Sequence, residues 1–338
     1  MMDISHVESR VLPVSSWRPA RKFPDTYPGE CPDGSYVLWH DQVHPLVKGN
    51  LDAPYILLTN NRGGTQPLQS FLSQRAMPAL IDRVAVLAYG ANRNPATLHI
   101  KLRDYAYRRS GDNCIPVLKG QLERADVVAC GLHGQGYLYG ELLLDERYTS
   151  TTSLDVRVLL LNLEQLRVMN DSEGIKSGMY ALAAVPGARL EGCGGTLSAL
   201  AYVANERVWR SPKLQSPLAF ASVPASGRRL AAMSAIQMLG HVIEALDLAN
   251  EVVSATGLAH DSSLPAELSK YLNGQWWYQF NTGNSPIIGY RRVMSLFRES
   301  MVDGAIRIRT LDLLRQRGVC LNQEEAYAPS REFFGLPA

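Results

Sequence analysis

The stretch VAVLAYGANRNP, Val84 to Pro95, decides how the chain folds. Val84–Tyr89 is an unbroken apolar run of strand length, the pattern of a strand buried on both faces. Gly90 stops it. Pro95 suits the first turn of a helix and Asn94 the capping position before it, which predicts a helix over Ala96–Arg108. A strand that ends in Gly and opens onto a helix leaves backbone N–H groups directed outward. Those groups and the positive helix end bind a carboxylate or a developing oxyanion. Taken alone, Gly90 serves equally as a backbone hinge with no ligand.

Downstream the strand texture continues at Ile115–Leu118, Val127–Ala129, Tyr137–Leu144 and Val156–Leu161, and returns at Met179–Val185 and Thr196–Val203. Between them Asn162 caps a helix with Gln165 at the reciprocal position and Leu163, Leu166 and Val168/Met169 on one side. That helix runs into NDSEGIKSGMY, Asn170 to Tyr180. Glu173 precedes Gly174, which suits the left-handed residue after a helix end. A carboxylate there faces the negative end of the helix dipole, which disfavours its charged form. Such a group is suited to proton transfer, although a side chain turned to solvent would carry only a small penalty.

Together the YGAN loop, Tyr89-Gly90-Ala91-Asn92, and the segment LRVMNDSEGIKSGMY resemble the gamma-glutamylcyclotransferase family. Its members carry a YGSN-type loop early in the domain and, after a helix, a catalytic glutamate followed by Gly. SALAYVANERVWRSPKLQSPLAF resembles the family's strand–YxxN–loop–SP segment. The resemblance covers roughly Val84 to Arg228. It implies an α+β fold, a gamma-glutamylcyclotransferase-like mixed α/β partly closed barrel, here with an N-terminal extension and an added C-terminal helical region. The expected division is 1–82 for the extension, 83–228 for the catalytic domain and 229–338 for the helical region.

The resemblance further implies release of 5-oxoproline and a free amine or amino acid from a γ-glutamyl substrate, by attack of the substrate's own α-amine on its γ-carbonyl. A tethered nucleophile supplies effective molarity, so neither a covalent enzyme intermediate nor a metal or other cofactor is expected. Glu173 is the expected general acid/base. The N–H groups of Gly90, Ala91 and Asn92 are expected to hold substrate oxygen, with the Asn92 side chain adding a bond. Tyr89, Tyr180 and Tyr202 are candidates to line the pocket, or equally to be core tyrosines with satisfied hydroxyls. Ala91 stands where the family commonly has Ser, which removes a hydroxyl contact but not the backbone donors. Two other readings keep their place: hydrolysis or acyl transfer on the same fold, and a non-catalytic module that binds a small ligand and a partner.

The flanks and the bulk composition bound the rest. The segment up to Pro67 is rich in Pro and Gly, with short strands expected at Tyr36–Trp39 and Tyr55–Leu58 and a short helix from Leu68 to Ala76. From Leu230 to Val253 apolar residues recur at helical spacing, predicting one long helix, with others at Pro265–Leu272, Tyr290–Ser300 and Ala305–Arg317. The aromatic run Gln275–Phe280 reads as core. His40, His44, His133 and His241 lack metal-like spacing and read as structural or surface. At 338 residues, 46% hydrophobic and 20% charged, the chain is in the globular range, and its net charge of +2 gives no reason to expect nucleic acid or an anionic membrane as partner. The five cysteines form no CxxC pair, which favours reduced thiols and a cytoplasmic setting. The start carries no secretory signal and no stretch approaches the roughly 20 apolar residues of a membrane span. A homo-oligomer stays open.

Overall fold

Val84–Ala88 lies between two cores, as its unbroken apolar run requires. Leu87 and the following Tyr89 join one with Leu118, Val156, Val158, Ala183 and Ala201. Val84, Val86 and Ala88 join the other with Leu98, Leu102, Leu166 and Met169. The alternation is that of a strand whose successive side chains leave opposite faces. The computed structural model of the chain describes residues 10–47, 55–58, 64–108, 114–191, 195–205, 208–303 and 310–327.

The strands that matter for the site are β1 (Tyr36–Trp39), β2 (Gln42–Val47), β3 (Val84–Ala88), β4 (Cys114–Glu123), β5 (Asp126–Leu132), β6 (Leu138–Leu143), β7 (Ser153–Leu161), β8 (Tyr180–Leu190) and β9 (Thr196–Ala204). The helices are α1 (Pro95–Arg108), α2 (Leu163–Ser172), α3 (Ala235–Ala245), α4 (Ala249–Thr256), α5 (Leu264–Thr282) and α6 (Ile288–Asp303). The fold is mixed α+β. Strands β3, β7, β4, β8 and β9 pair in that order, and β9 returns to β3, so the five close into a barrel. Every pair in the ring is antiparallel except β9 with β3, where Leu200 faces Val86 and Ala201 faces Leu87. Closure leaves this ring no free edge.

The N-terminal segment is fastened to the barrel by β1, which pairs with β4 from Tyr36↔Val117 to Trp39↔Cys114, and by β2 beyond it. Hairpin β5–β6 forms a second sheet with the short strands Ala219–Phe220 and Ala232–Met233. Helices α1 and α2 pack on the outer face of β3, with Leu98 and Leu102 of the first and Leu166 and Met169 of the second in one cluster.

The C-terminal stretch departs from the single long helix that its periodicity suggests. Leu230 precedes a strand, Ala232–Met233. Ser234 then caps α3 in a capping box with Gln237, and the helix stops before Asp247, whose φ is +53°. Helix α4 resumes and ends at Gly257 with φ +75°. Periodicity carried across the break because Met238, Leu239, Val242 and Val252 all enter the same core. Helix α5 runs past Leu272 through the aromatic stretch, and Tyr278 and Phe280 on it are exposed, so that run is not a core cluster as a whole. Of the helix expected at Ala305–Arg317, Thr310–Gln316 is described and the part before it lies outside the described residues. No helix among the described residues is long and apolar enough to cross a membrane. Among the described residues Cys31, Cys114, Cys130 and Cys320 form no disulfide, and Cys193 lies outside the described residues.

Candidate active site

The loop after β3 is held from three sides. Arg93, almost fully buried, donates to Asp155 of β7 at 2.6 Å, and Arg157 donates to the same carboxylate oxygen at 2.6 Å. The carbonyl of Arg93 accepts from Tyr36 OH at 3.1 Å. Asn94 caps α1 by accepting from the Thr97 N–H at 2.8 Å, and its amide donates to the carbonyls of Arg18 and Glu30 at 3.0 and 2.7 Å. The chain does not pass directly from Gly90 into α1. Ala91–Arg93 forms a 3-10 turn first, in which the N–H groups of Arg93 and Asn94 are taken by the carbonyls of Gly90 and Ala91. Within the loop, the N–H groups of Gly90, Ala91 and Asn92 are left without a backbone acceptor among the described residues.

The second stretch arrives by an equally local rule. Asn162 and Gln165 form the expected capping box at the start of α2. At its end Glu173 is the C-cap and Gly174 adopts φ +68°. The N–H of Ile175 reaches the Asn170 carbonyl at 3.1 Å and that of Gly174 the Asp171 carbonyl at 3.2 Å, a Schellman closure that satisfies the helix end. A Cβ on Gly174 would meet Ser177 Oγ at 2.7 Å. This turn fixes where the Glu173 side chain leaves the helix.

Both stretches border a cavity of about 390 Å³, whose lining includes Tyr89, Gly90, Ala91, Asn92, Glu173, Tyr180 and Tyr202. All seven residues singled out in the sequence thus line one cavity. Asn92 Nδ2 donates to Glu173 Oε1 at 2.8 Å. Lys101, one turn beyond Thr97 on α1, donates to that same oxygen and to Asn92 Oδ1 at 2.9 Å. The Asn92 side chain is therefore bound to the glutamate and the lysine. The helix end is also not the only charge that Glu173 meets, because the Lys101 ammonium lies on it with side chains only 18% and 12% exposed. Both of its partners sit on Oε1, and among the described residues Oε2 carries no hydrogen bond.

The tyrosines divide. Tyr89 OH donates to the Tyr202 carbonyl, and Tyr202 OH donates to Asn170 Oδ1 at 2.8 Å, so both hydroxyls serve the fold while their rings line the cavity. Burial raises the pKa of Tyr89, Tyr180 and Tyr202 well above the ordinary phenol value, and the Glu173 carboxylate adds to it.

Five contributors escaped the sequence reading. Lys101 is the first. Glu141 of β6 is buried beneath the cavity, accepting from the N–H groups of Leu142 at 2.9 Å and Ala204 at 2.7 Å. Burial lifts its carboxyl to about 8, with those two N–H groups and the Tyr89 hydroxyl pulling the other way. Tyr27, from the N-terminal segment, accepts from the Gly140 N–H at 2.7 Å and stacks on Tyr137 with ring centroids 4.9 Å apart. His133, read as structural or surface from its spacing, lines the cavity and stacks on Tyr137 at 4.8 Å. Burial first, then the Arg21 and Lys101 cations, push its imidazole down to about 4. Arg21 and Trp276 complete the far wall, one from each flank of the barrel. Among the described residues no group of three or more His, Cys, Asp or Glu side chains comes together to hold a metal ion.

No protein-family model matches the chain, and no curated protein does. Two solved structures share part of it. An uncharacterised protein from Homo sapiens is 18% identical over 37% of this chain and 69% of its own, with a TM-score of 0.27. A gamma-glutamyl cyclotransferase is 15% identical over 56% of this chain and 85% of its own, with a TM-score of 0.26.

Proposed function

We propose that the chain is a gamma-glutamylcyclotransferase-type enzyme. The observation that carries this reading is the meeting, at one cavity, of a YGAN loop and an EGIKSGMY glutamate 81 residues apart, joined there by the Asn92–Glu173 hydrogen bond.

The chemistry follows from what each group offers. The substrate's α-amine attacks its own γ-carbonyl, forming the ring C–N bond as the C–N bond to the amine half breaks. Glu173 Oε2 takes the proton that the attacking nitrogen sheds and returns it to the departing nitrogen. Asn92 and Lys101, both on Oε1, hold the carboxylate with the other oxygen toward the cavity. The developing oxyanion is met by the N–H groups of the Gly90–Asn92 turn, which Arg93 and Asn94 keep in place. The neutral tyrosine rings exclude water around the reacting atoms, which strengthens these interactions.

The test is incubation of the purified full chain with γ-glutamyl amines, amino acids and peptides, with products identified by mass spectrometry. The reading expects 5-oxoproline with release of the free amine. Glutamate in its place would indicate hydrolysis on the same scaffold. Neither product from any substrate would leave only the binding of a small ligand.

A further inference from the structure

The far wall of the cavity holds a cation with no counter-charge. Arg21 is half-buried, and among the described residues it has no carboxylate partner. Its Nε is buried without a hydrogen bond. The residue is nonetheless held in position. Its carbonyl accepts from Gln135 Nε2 at 3.3 Å and from Trp277 Nε1 at 3.2 Å, and its guanidinium lies over the Trp277 ring, 5.6 Å from the centroid. Its charged surroundings do not neutralise it: burial pushes the guanidinium below its ordinary value, Tyr137 partly offsets this, and the Arg103 cation adds to it. Arginine stays charged in proteins, so a half-desolvated guanidinium with no carboxylate partner is stabilised by an anion that reaches it.

The neighbouring His133 adds a hydrogen-bond donor that an anion can use. His133 Nδ1 accepts from the Gln135 N–H at 3.1 Å, so the neutral imidazole carries its proton on Nε2, a second donor on the same wall. Glu173 is paired with Lys101 and needs no further cation. The Arg21 charge is left for the ligand.

We infer that Arg21 binds a carboxylate on the amine half of the substrate, which makes it a specificity-determining residue supplied from outside the barrel. The inference rests on the cyclotransferase reading above. It selects γ-glutamyl conjugates of amino acids or peptides over those of simple amines. The planar fork of arginine suits a carboxylate in a two-bond contact.

The experiment compares γ-glutamyl-alanine with γ-glutamyl-ethylamine, which differ only in that carboxylate, by 5-oxoproline release from the full chain. The wild type is expected to favour the alanine conjugate in kcat/KM by about 10–100-fold, the range of a hydrogen bond to a charged group. Arg21→Gln should bring the ratio to within about twofold. Arg21→Glu should go further, favouring the γ-glutamyl conjugate of 1,2-diaminoethane over that of alanine. Equal kcat/KM for the two substrates in the wild type overturns the inference without needing any variant to fold. A ratio unchanged in Arg21→Gln, or a loss of the same factor on both substrates, overturns it too, since the latter assigns Arg21 to the glutamyl half. No 5-oxoproline from either substrate in the wild type would instead overturn the cyclotransferase reading, and this inference with it.

Discussion

Lys101 and Glu173, 72 residues apart, form an ion pair on the cavity wall, and Asn92 bridges them by donating to one and accepting from the other. On the proposed cyclotransferase reading, a lysine so placed would act on substrate through the carboxylate, as a positioning residue. Lys101→Met should lower kcat about tenfold or more with a smaller change in KM. The decisive measurement is a double-mutant cycle. If Lys101 works through Glu173, Lys101→Met should cost little further activity in a Glu173→Gln background, whereas independent roles would add.

Glu173→Gln keeps size and shape but cannot accept the proton. Turnover should fall by roughly 10²–10⁴-fold, the usual contribution of a positioned acid/base. The fold should survive, because the amide can still accept from Asn92 and the helix end is closed by backbone groups that the change leaves alone. Rates of 5-oxoproline release, with circular dichroism as the control, decide it. A folded Gln variant of near-normal activity would remove Glu173 from the chemistry.

Ala91 opens the 3-10 turn, a position where proline is sterically at home. Ala91→Pro therefore deletes one N–H with little disturbance to the turn. If that N–H faces the oxyanion, kcat should drop about 10²–10³-fold, while Ala91→Ser stays within a few-fold. Similar rates for both variants would take this donor out of the mechanism.

Glu141 predicts a pH dependence of stability. Its folded value, raised to about 8, lies above that of an unfolded glutamate, so the folded state binds the proton more tightly. Stability from this group is therefore full below about pH 4, and is lost as pH rises through the window up to about 8. The loss is on the order of a few kcal/mol. Glu141→Gln should flatten the slope of unfolding free energy between pH 5 and 8 in urea titrations. An equally steep slope in the variant would assign it elsewhere.

Arg228 meets the fully buried Asp126 through two nitrogens, at 2.9 and 2.8 Å, across the junction between the barrel and the C-terminal helices. Arg228→Met should destabilise the chain by about 3–5 kcal/mol, because it leaves a buried carboxylate without its cation. In the wild type, trypsin should cut slowly at this arginine, whose side chain is held in the ion pair. Rapid cleavage into two folded pieces would contradict both expectations.

What the sequence made legible was local. The burial of Val84–Ala88, the Asn162–Gln165 capping box and the left-handed Gly174 each depend on a few neighbouring residues, and each stands as read. Lys101 was not legible, because a lysine on a helix ordinarily points to solvent and its partner here is supplied by a second helix. Spacing alone set His133 aside, since a stacking wall needs no ligand geometry. Arg21 and Tyr27 lie in a Pro- and Gly-rich stretch with no periodicity to follow. Glu141 is different: it is a lone carboxylate within LYGELL, a strand with four of its six residues fully apolar or Gly and nearly all buried, and that mismatch could have been noticed.

The barrel closes by pairing β3 with β9, more than a hundred residues later in the chain, and the cavity wall reaches on to Trp276. During synthesis, at about 5–20 residues per second, the ribosome releases the YGAN loop and Glu173 well before that tryptophan. A nascent chain therefore exposes the cavity's inner surface for several seconds before its last wall is made. Non-local pairing of this kind also slows folding. On the proposed reading, activity should therefore appear only once the chain extends past α5.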